Sequence, residues 1–320
     1  MTPNAKGALF ALGAFAIFSS HDVIIKILGG FYSPIQIVFF SVLLSFPLAT
    51  VMLMSDARAG TLIPKHPWWL ALRTGAAVAT GVCAFYAFSV LPLAQVYAII
   101  FASPLMITVL AIPVLGEKVR LRRWVAVLVG LVGVIVVLRP GSTELTLGHA
   151  AALITAMGGA ITAIVVRKIG SEERPVVMLL YPMVVNFIVM AMLLPLVYVP
   201  MPIGHLGMLG GVAAFAWFAQ RMIITAYQNG EAAIIAPMQY SQIIWASVYG
   251  FAFFGEVIDM NTAIGAGIII ASGLYIVLRE SRAGNSQNTP VLRSRSRVET
   301  GTTPRMSLIM RATGRTPPRR

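Results

Sequence analysis

The sequence predicts an all-α membrane protein with ten transmembrane helices, built as two inverted-topology five-helix repeats. Three observations predict it. Apolar stretches of bilayer-crossing length fill the chain from Ala8 to Leu278, positive charge sorts to alternate loops, and the second half of the chain resembles the first. Of the 320 residues, 58 % are hydrophobic and 11 % charged, and the mean hydropathy is +0.84. A soluble domain carries about a quarter charged residues.

A helix rises 1.5 Å per residue, so roughly 20 apolar residues cross the hydrocarbon core. Spans are predicted near 8–28, 34–54, 68–90, 93–115, 121–138, 148–167, 175–199, 205–228, 232–254 and 260–278. The first has only Lys6 before its apolar run, and Asp22 and Lys26 follow without a small-x-small cleavage site. It reads as a retained helix rather than a signal peptide. In the fourth span Pro104 lacks the N–H that a helix interior needs, so it can break the ladder there. Groups of glycines, Gly158-Gly159, Gly130/Gly133 and Gly207/Gly210/Gly211, read as sites of close helix packing. The connections between spans are too short to hold a soluble catalytic domain.

Beyond the tenth span the composition changes. From Arg279 to Arg320 there are ten Arg, no Lys and two Glu, a net +8 out of +13 for the whole chain. This stretch is rich in Ser, Thr, Pro and Gly, so 280–320 is expected to be a disordered cytoplasmic tail. The basic balance is therefore a tail property and implies no nucleic-acid partner. The tail is either a solvated extension or leans on anionic headgroups of the bilayer, at about 1 kcal/mol per basic residue near the surface. Cys83 is the single cysteine, which excludes a disulfide framework and a Cys/His metal cluster.

Loop charge sets the orientation. With the N-terminus in the cytoplasm, the inner loops hold Arg58 and Lys65, then Lys118, Arg120, Arg122 and Arg123, then Arg167, Lys168 and Arg174. Of positive charges the outer segments hold only Arg139, with Lys26 near the outer end of the first span, and the last outer loop has Glu256 and Asp259. Both termini are then cytoplasmic, as an even number of spans requires.

The repeat appears when Gly116-Glu117 is aligned with Gly255-Glu256, an offset of 139. Ala94 then falls on Ala233 and Phe101 on Tyr240, and the following span ends Val-Leu-Arg in both halves, at 137–139 and 277–279. The halves divide as 1–140 and 141–279. Five spans is an odd number, so the halves enter the membrane from opposite sides. Inverted repeats of this kind are common in secondary transporters, with the binding site near the midplane between them.

The segment LAQVYAIIFASPLMITVLAIPVLGEKVRLRRWVAVLVGLVGVIVVLRPG, 93–141, resembles the fourth and fifth helices of the EamA family of the drug/metabolite transporter superfamily. Its Ser103-Pro104, Gly116-Glu117, Arg123-Trp124 and Gly130-Leu-Val-Gly133 carry that resemblance. The segment EAAIIAPMQYSQIIWASVYGFAFFGEVI, 231–258, is similar to the family's ninth helix, except that Pro237 lies earlier than the family's usual proline. SSHDVIIKILG at 19–29 and Leu72-Arg73 also look like the S-adenosylmethionine uptake branch. The resemblance covers roughly 8–279. It implies alternating access around a pocket lined by spans 1, 3, 4, 6, 8 and 9, in a bacterial inner membrane. It also implies a small polar or zwitterionic metabolite as substrate, with S-adenosylmethionine uptake and amino-acid or metabolite export as the two versions. No cofactor is implied, a proton is the candidate coupling ion, and a homodimer is an assembly open to it.

Ionisable groups inside a membrane are expensive and functional by default. Asp22 and Lys26 lie four apart on one helical face and could pair, with His21 pointing elsewhere. Asp22 either carries a proton or meets a cationic substrate group; an interfacial ion pair with a snorkelling Lys26 is the plainer reading. Arg73 in the third span would meet a substrate carboxylate or reach the cytoplasmic headgroups. Arg221, beside Gln220 and one turn after Trp217, must face the bundle or a water-filled cavity, or pair with Glu231. In the ninth span Gln239, Tyr240, Gln242 and Trp245 form a polar-aromatic stripe, read as pocket lining or as interhelical hydrogen bonding. Gln95, Tyr97 and Ser103 are candidates in the fourth span, and Tyr86 and Asn186 are weaker ones.

No catalytic constellation is present. Ser19 and Ser20 adjoin His21, but adjacency on a helix does not build a nucleophile–base pair. No zinc-protease or phosphate-loop motif appears, so neither an enzyme nor an ATP-driven pump is expected. The competing reading is a membrane scaffold or sensor that acts through its basic tail.

Overall fold

The computed structural model describes residues 3–54, 62–116, 121–139, 144–170, 172–229 and 232–282. The described residues are helical throughout, without strands. The helices are α1 (Pro3–Gly29), α2 (Pro34–Met54), α3 (Pro67–Val90), α4 (Leu93–Ile100), α5 (Ser103–Leu115), α6 (Leu121–Leu138) and α7 (Leu147–Ile169). They continue as α8 (Pro175–Leu193), α9 (Ile203–Asn229), α10 (Ala232–Ile235), α11 (Ser241–Phe254) and α12 (Met260–Arg282). Six stretches are long and apolar enough to cross a membrane, α4 and α5 together counting as one, and three shorter apolar helices accompany them. Glu117, Glu231 and the basic tail beyond Arg282 lie outside the described residues.

Two predicted spans are interrupted. Span 93–115 breaks at Phe101–Ala102 into α4 and α5, because Pro104 has no N–H and its ring opposes the carbonyl one turn back. Span 232–254, expected to be continuous, is instead α10, a 3-10 stretch over Ala236–Tyr240 and then α11. Pro237 lies within that stretch and has the same effect. Both second pieces end at a left-handed glycine, Gly116 (φ 68°) and Gly255 (φ 65°), where a side chain would be strained. At the two breaks Phe101 and Tyr240 meet edge to face, ring centroids 5.0 Å apart. Span 175–199 is shorter than expected: α8 stops at Leu193 and a 3-10 turn carries Pro195.

The most extensive helix contacts are α1 on α9, α3 on α7 and α6 on α12. Without a hydrophobic drive between helices in lipid, close packing relies on small residues. Gly158 leaves room for Thr80 of α3, and Gly133 and Gly265 bring the α6 and α12 backbones together. Gly207 and Gly210 do not serve this purpose: a Cβ at either would meet nothing within 4 Å. α3 also packs on α1 and α2, whereas α9 makes at most marginal contact with α7 and α8 among the described residues.

Candidate functional site

Asp22 lies seven residues before the end of α1, about 10 Å below it at 1.5 Å per residue. It is 0 % exposed. Tyr97 Oη donates to Asp22 Oδ2, and Gln242 Nε2 donates to Tyr97 Oη at 3.2 Å. Tyr97 comes from α4 and Gln242 from α11, so one interrupted span reaches the Asp22 carboxyl directly and the other reaches it through Tyr97. Interrupted helices in corresponding places of two halves mark the binding region in many transporters.

Two sequence expectations need correction here. His21 does not point elsewhere: its Nδ1 lies 2.8 Å from Asp22 Oδ1 in a buried hydrogen bond. Lys26 does not turn back to Asp22. Its Nζ lies 2.7 Å from Glu256 Oε1 and also donates to the Leu91 carbonyl. Helical spacing made the Asp22–Lys26 pair possible, but a carboxylate from the loop after α11 offered Lys26 a partner closer to the membrane edge.

A wall of aromatic rings surrounds the Asp22 chain. Phe85 lies edge-on to the His21 ring at 6.3 Å, and Phe88 and Phe101 flank Tyr97 at 5.4 and 5.8 Å. On α11, Trp245 stacks on Tyr249 at 6.3 Å. Ser20 Oγ of α1 donates to Tyr249 Oη at 3.3 Å. Sequence reasoning missed Tyr249; it lies one turn after Trp245, on the face that Gln242 and Trp245 already defined. The Trp245 indole N–H is buried and makes no hydrogen bond. A buried donor in that state costs about 1–3 kcal/mol, so it is available to an acceptor that enters.

The other candidates go elsewhere. Gln239 is half-buried in the 3-10 stretch, and Tyr240 is buried at the break with its hydroxyl unbonded. Arg221 is exposed, with its guanidinium 4.8 Å from the Trp217 ring centroid in a cation–π contact. Arg73 is 2 % exposed and donates to the Met178 carbonyl, joining α3 to α8. Gln95 lies 3.0 Å from His149 Nε2, joining α4 to α7. Tyr86 is half-buried in the apolar core around α3. Ser103 donates to the Ala156 carbonyl of α7 at 3.0 Å, and both polar atoms of the Asn186 side chain are buried without a hydrogen bond. Among the described residues no group of three His, Cys, Asp or Glu could hold a metal.

A helical bundle of apolar spans, with a buried carboxyl held between two interrupted helices, defines a multi-pass membrane transporter. The chain belongs to the EamA-like transporter family, which matches it twice, over residues 5–139 and 146–278. It is 25 % identical over 287 residues to the S-adenosylmethionine uptake transporter of Rickettsia prowazekii (strain Madrid E), covering 88 % of this chain and 96 % of that protein. It is 28 % identical over 193 residues to the riboflavin transporter of Vibrio cholerae, covering 60 % of this chain and 64 % of that one. A pseudopaline exporter of Pseudomonas aeruginosa is 24 % identical over 287 residues, 87 % of this chain and 98 % of the exporter. A solved structure superposes with TM-score 0.55 at 15 % identity, over 83 % of this chain and 96 % of that one, a likeness of fold alone.

Proposed function

We propose that the chain takes up S-adenosylmethionine, or a cationic zwitterion of similar chemistry, by alternating access. It would do so across a bacterial inner membrane with both termini in the cytoplasm. The observation that carries the reading is Asp22, fully buried yet tied to both interrupted spans through Tyr97 and Gln242. A charged residue at the centre of a membrane helix costs about 3 kcal/mol on insertion scales, so its retention calls for a use. A carboxylate there complements a sulfonium or ammonium group, and the Trp245–Tyr249 stack suits a flat ring. The R. prowazekii relative, named for this substrate, aligns over nearly its whole length.

Ten spans in two inverted five-helix repeats, 1–140 and 141–279, fit this reading. Supporting it are the double family match, the two left-handed glycines and the break-to-break Phe101–Tyr240 contact. A proton carried by Asp22 is the coupling ion we favour, because the carboxyl alternates between sealed and open only if its charge is managed. The likeness to a pseudopaline exporter keeps metabolite export as the second reading.

Counterflow in proteoliposomes tests the substrate. Vesicles preloaded with S-adenosylmethionine are expected to accumulate labelled S-adenosylmethionine with saturation. Exchange of amino acids instead, with none of S-adenosylmethionine, would transfer the assignment to export. The tail plays no part in this mechanism, so deleting 285–320 is expected to leave counterflow within about twofold of the full chain. Loss of flux from folded protein lacking the tail would favour the scaffold or sensor reading.

A further inference from the structure

We infer that Lys26 and Glu256 form the latch that shuts one mouth of the transporter, the outer one on the loop-charge pattern. The inference rests on the alternating-access reading. Lys26 closes the first helix of the first half; Glu256 follows the left-handed Gly255 that ends α11 in the second half. Their 2.7 Å ion pair is therefore a bond between halves, 11 % and 19 % exposed at its two side chains. The contact is built in depth. Glu256 Oε2 accepts from the Leu93 N–H at 3.0 Å, which fixes the start of α4 one turn above Tyr97. Lys26 also donates to the Leu91 carbonyl and lies 5.3 Å from the Phe254 ring centroid. One ion pair thus ties α1, the α3–α4 turn and the α11 end, which are the same elements that hold Asp22, Tyr97 and Gln242.

Gly250 makes room for the carboxylate: a Cβ there would lie 2.7 Å from Glu256 Oε2. Beside the latch a cavity of ≈ 30 Å³, space for a water or two, is lined by Glu256 itself and by Gln95, Ser247, Gly250 and Thr262 among others. A second cross-half pair, Arg139 with Asp259, sits at the same end but is more exposed.

The packing of the bundle shows which state the latch accompanies. Under an inverted repeat α3 corresponds to α9, α1 to α7 and α2 to α8. Yet α3 is packed on α1 and α2 while α9 stands off α7 and α8. The molecule is thus in one of two states that the repeat makes possible, with the Lys26 end shut. At the other end Lys168 lies in the last turn of α7, as Lys26 lies in the last turn of α1. It is exposed, donates to the Val114 carbonyl at 2.9 Å and lies 5.9 Å from the Trp69 ring centroid; among the described residues no carboxylate pairs with it as Glu256 pairs with Lys26. In the opposite state the Lys26–Glu256 pair is broken, and α3 rather than α9 stands off its neighbours.

The test is maleimide labelling of the purified full chain with Cys83→Ser and a single probe cysteine. Ser247→Cys reports the latch end, and Thr225→Cys on α9 the opposite end. Glu256→Gln keeps the acceptor for Leu93 but removes the ion pair; Gly250→Ala displaces the carboxylate without changing any charge. Each is expected to raise Ser247→Cys labelling about tenfold, as a minor state becomes populated, and to lower Thr225→Cys labelling. Unchanged labelling at both probes in both variants would overturn the latch. So would a rise at both probes together, the sign of general loosening. The readout needs no substrate, so a failed latch and a failed transport assignment are told apart by running counterflow on the same preparations.

Discussion

Asp22→Asn is expected to lower counterflow by about 10- to 100-fold, the cost of one charge-assisted hydrogen bond in the transport cycle. The replacement has nearly the same shape and sits at a fully buried position, so packing against α4 and α11 should persist. What changes is charge and donor pattern. Tyr97 can still donate to an amide oxygen, but the amide nitrogen now confronts His21 Nδ1, which lies 2.8 Å from the wild-type Oδ1. The variant also cannot take up or release a proton, or balance a cationic substrate. The measurement is counterflow from protein that elutes as a single species. Wild-type rates in folded Asp22→Asn would remove Asp22 from the mechanism and leave its hydrogen bonds as structure. Tyr97→Phe separates the two parts: it keeps the carboxyl and its charge but removes the hydroxyl that donates to Asp22 and accepts from Gln242, so a smaller loss is expected.

The helices and the position of Asp22 were legible in the sequence because both follow from local rules. Apolar length marks a span, and an ionisable residue within one stands out against its neighbours. The interruption at Pro104 was likewise visible, since proline acts on its own turn. The partners were not legible. Lys26 and Glu256 are 230 positions apart, and the local rule offered Asp22 instead. Arg73 and Gln95 have the chemistry of site residues, but they join α3 to α8 and α4 to α7. A polar residue on an apolar helix shows that it avoids lipid; which neighbour it meets depends on rotation and depth, which a single sequence does not encode.

Glycines show the same gap between pattern and place, with a large expected effect on stability. Gly265→Leu is expected to destabilise the folded protein by about 3 kcal/mol, at the upper end for overpacking. A Cβ at Gly265 would lie 2.7 Å from the Gly133 carbonyl oxygen and 2.5 Å from Val137 Cγ2, and a Cβ at Gly133 would lie 2.9 Å from the Gly265 oxygen. Backbone cannot rotate aside as a side chain can, so α6 and α12 would have to separate along their whole contact. Gly267, two residues on, is exposed and has nothing within 4 Å of a Cβ. Gly267→Leu should therefore be neutral, or stabilising by up to about 1 kcal/mol through helix propensity. Thermal unfolding of the two variants in detergent compares them directly. If both melt with the wild type, α6 and α12 are not in backbone contact, and the closest approach between the two halves lies elsewhere. If only Gly265→Leu melts early, the α6–α12 seam is rigid, and any rocking of the halves must turn about it while the α1, α3 and α9 contacts change.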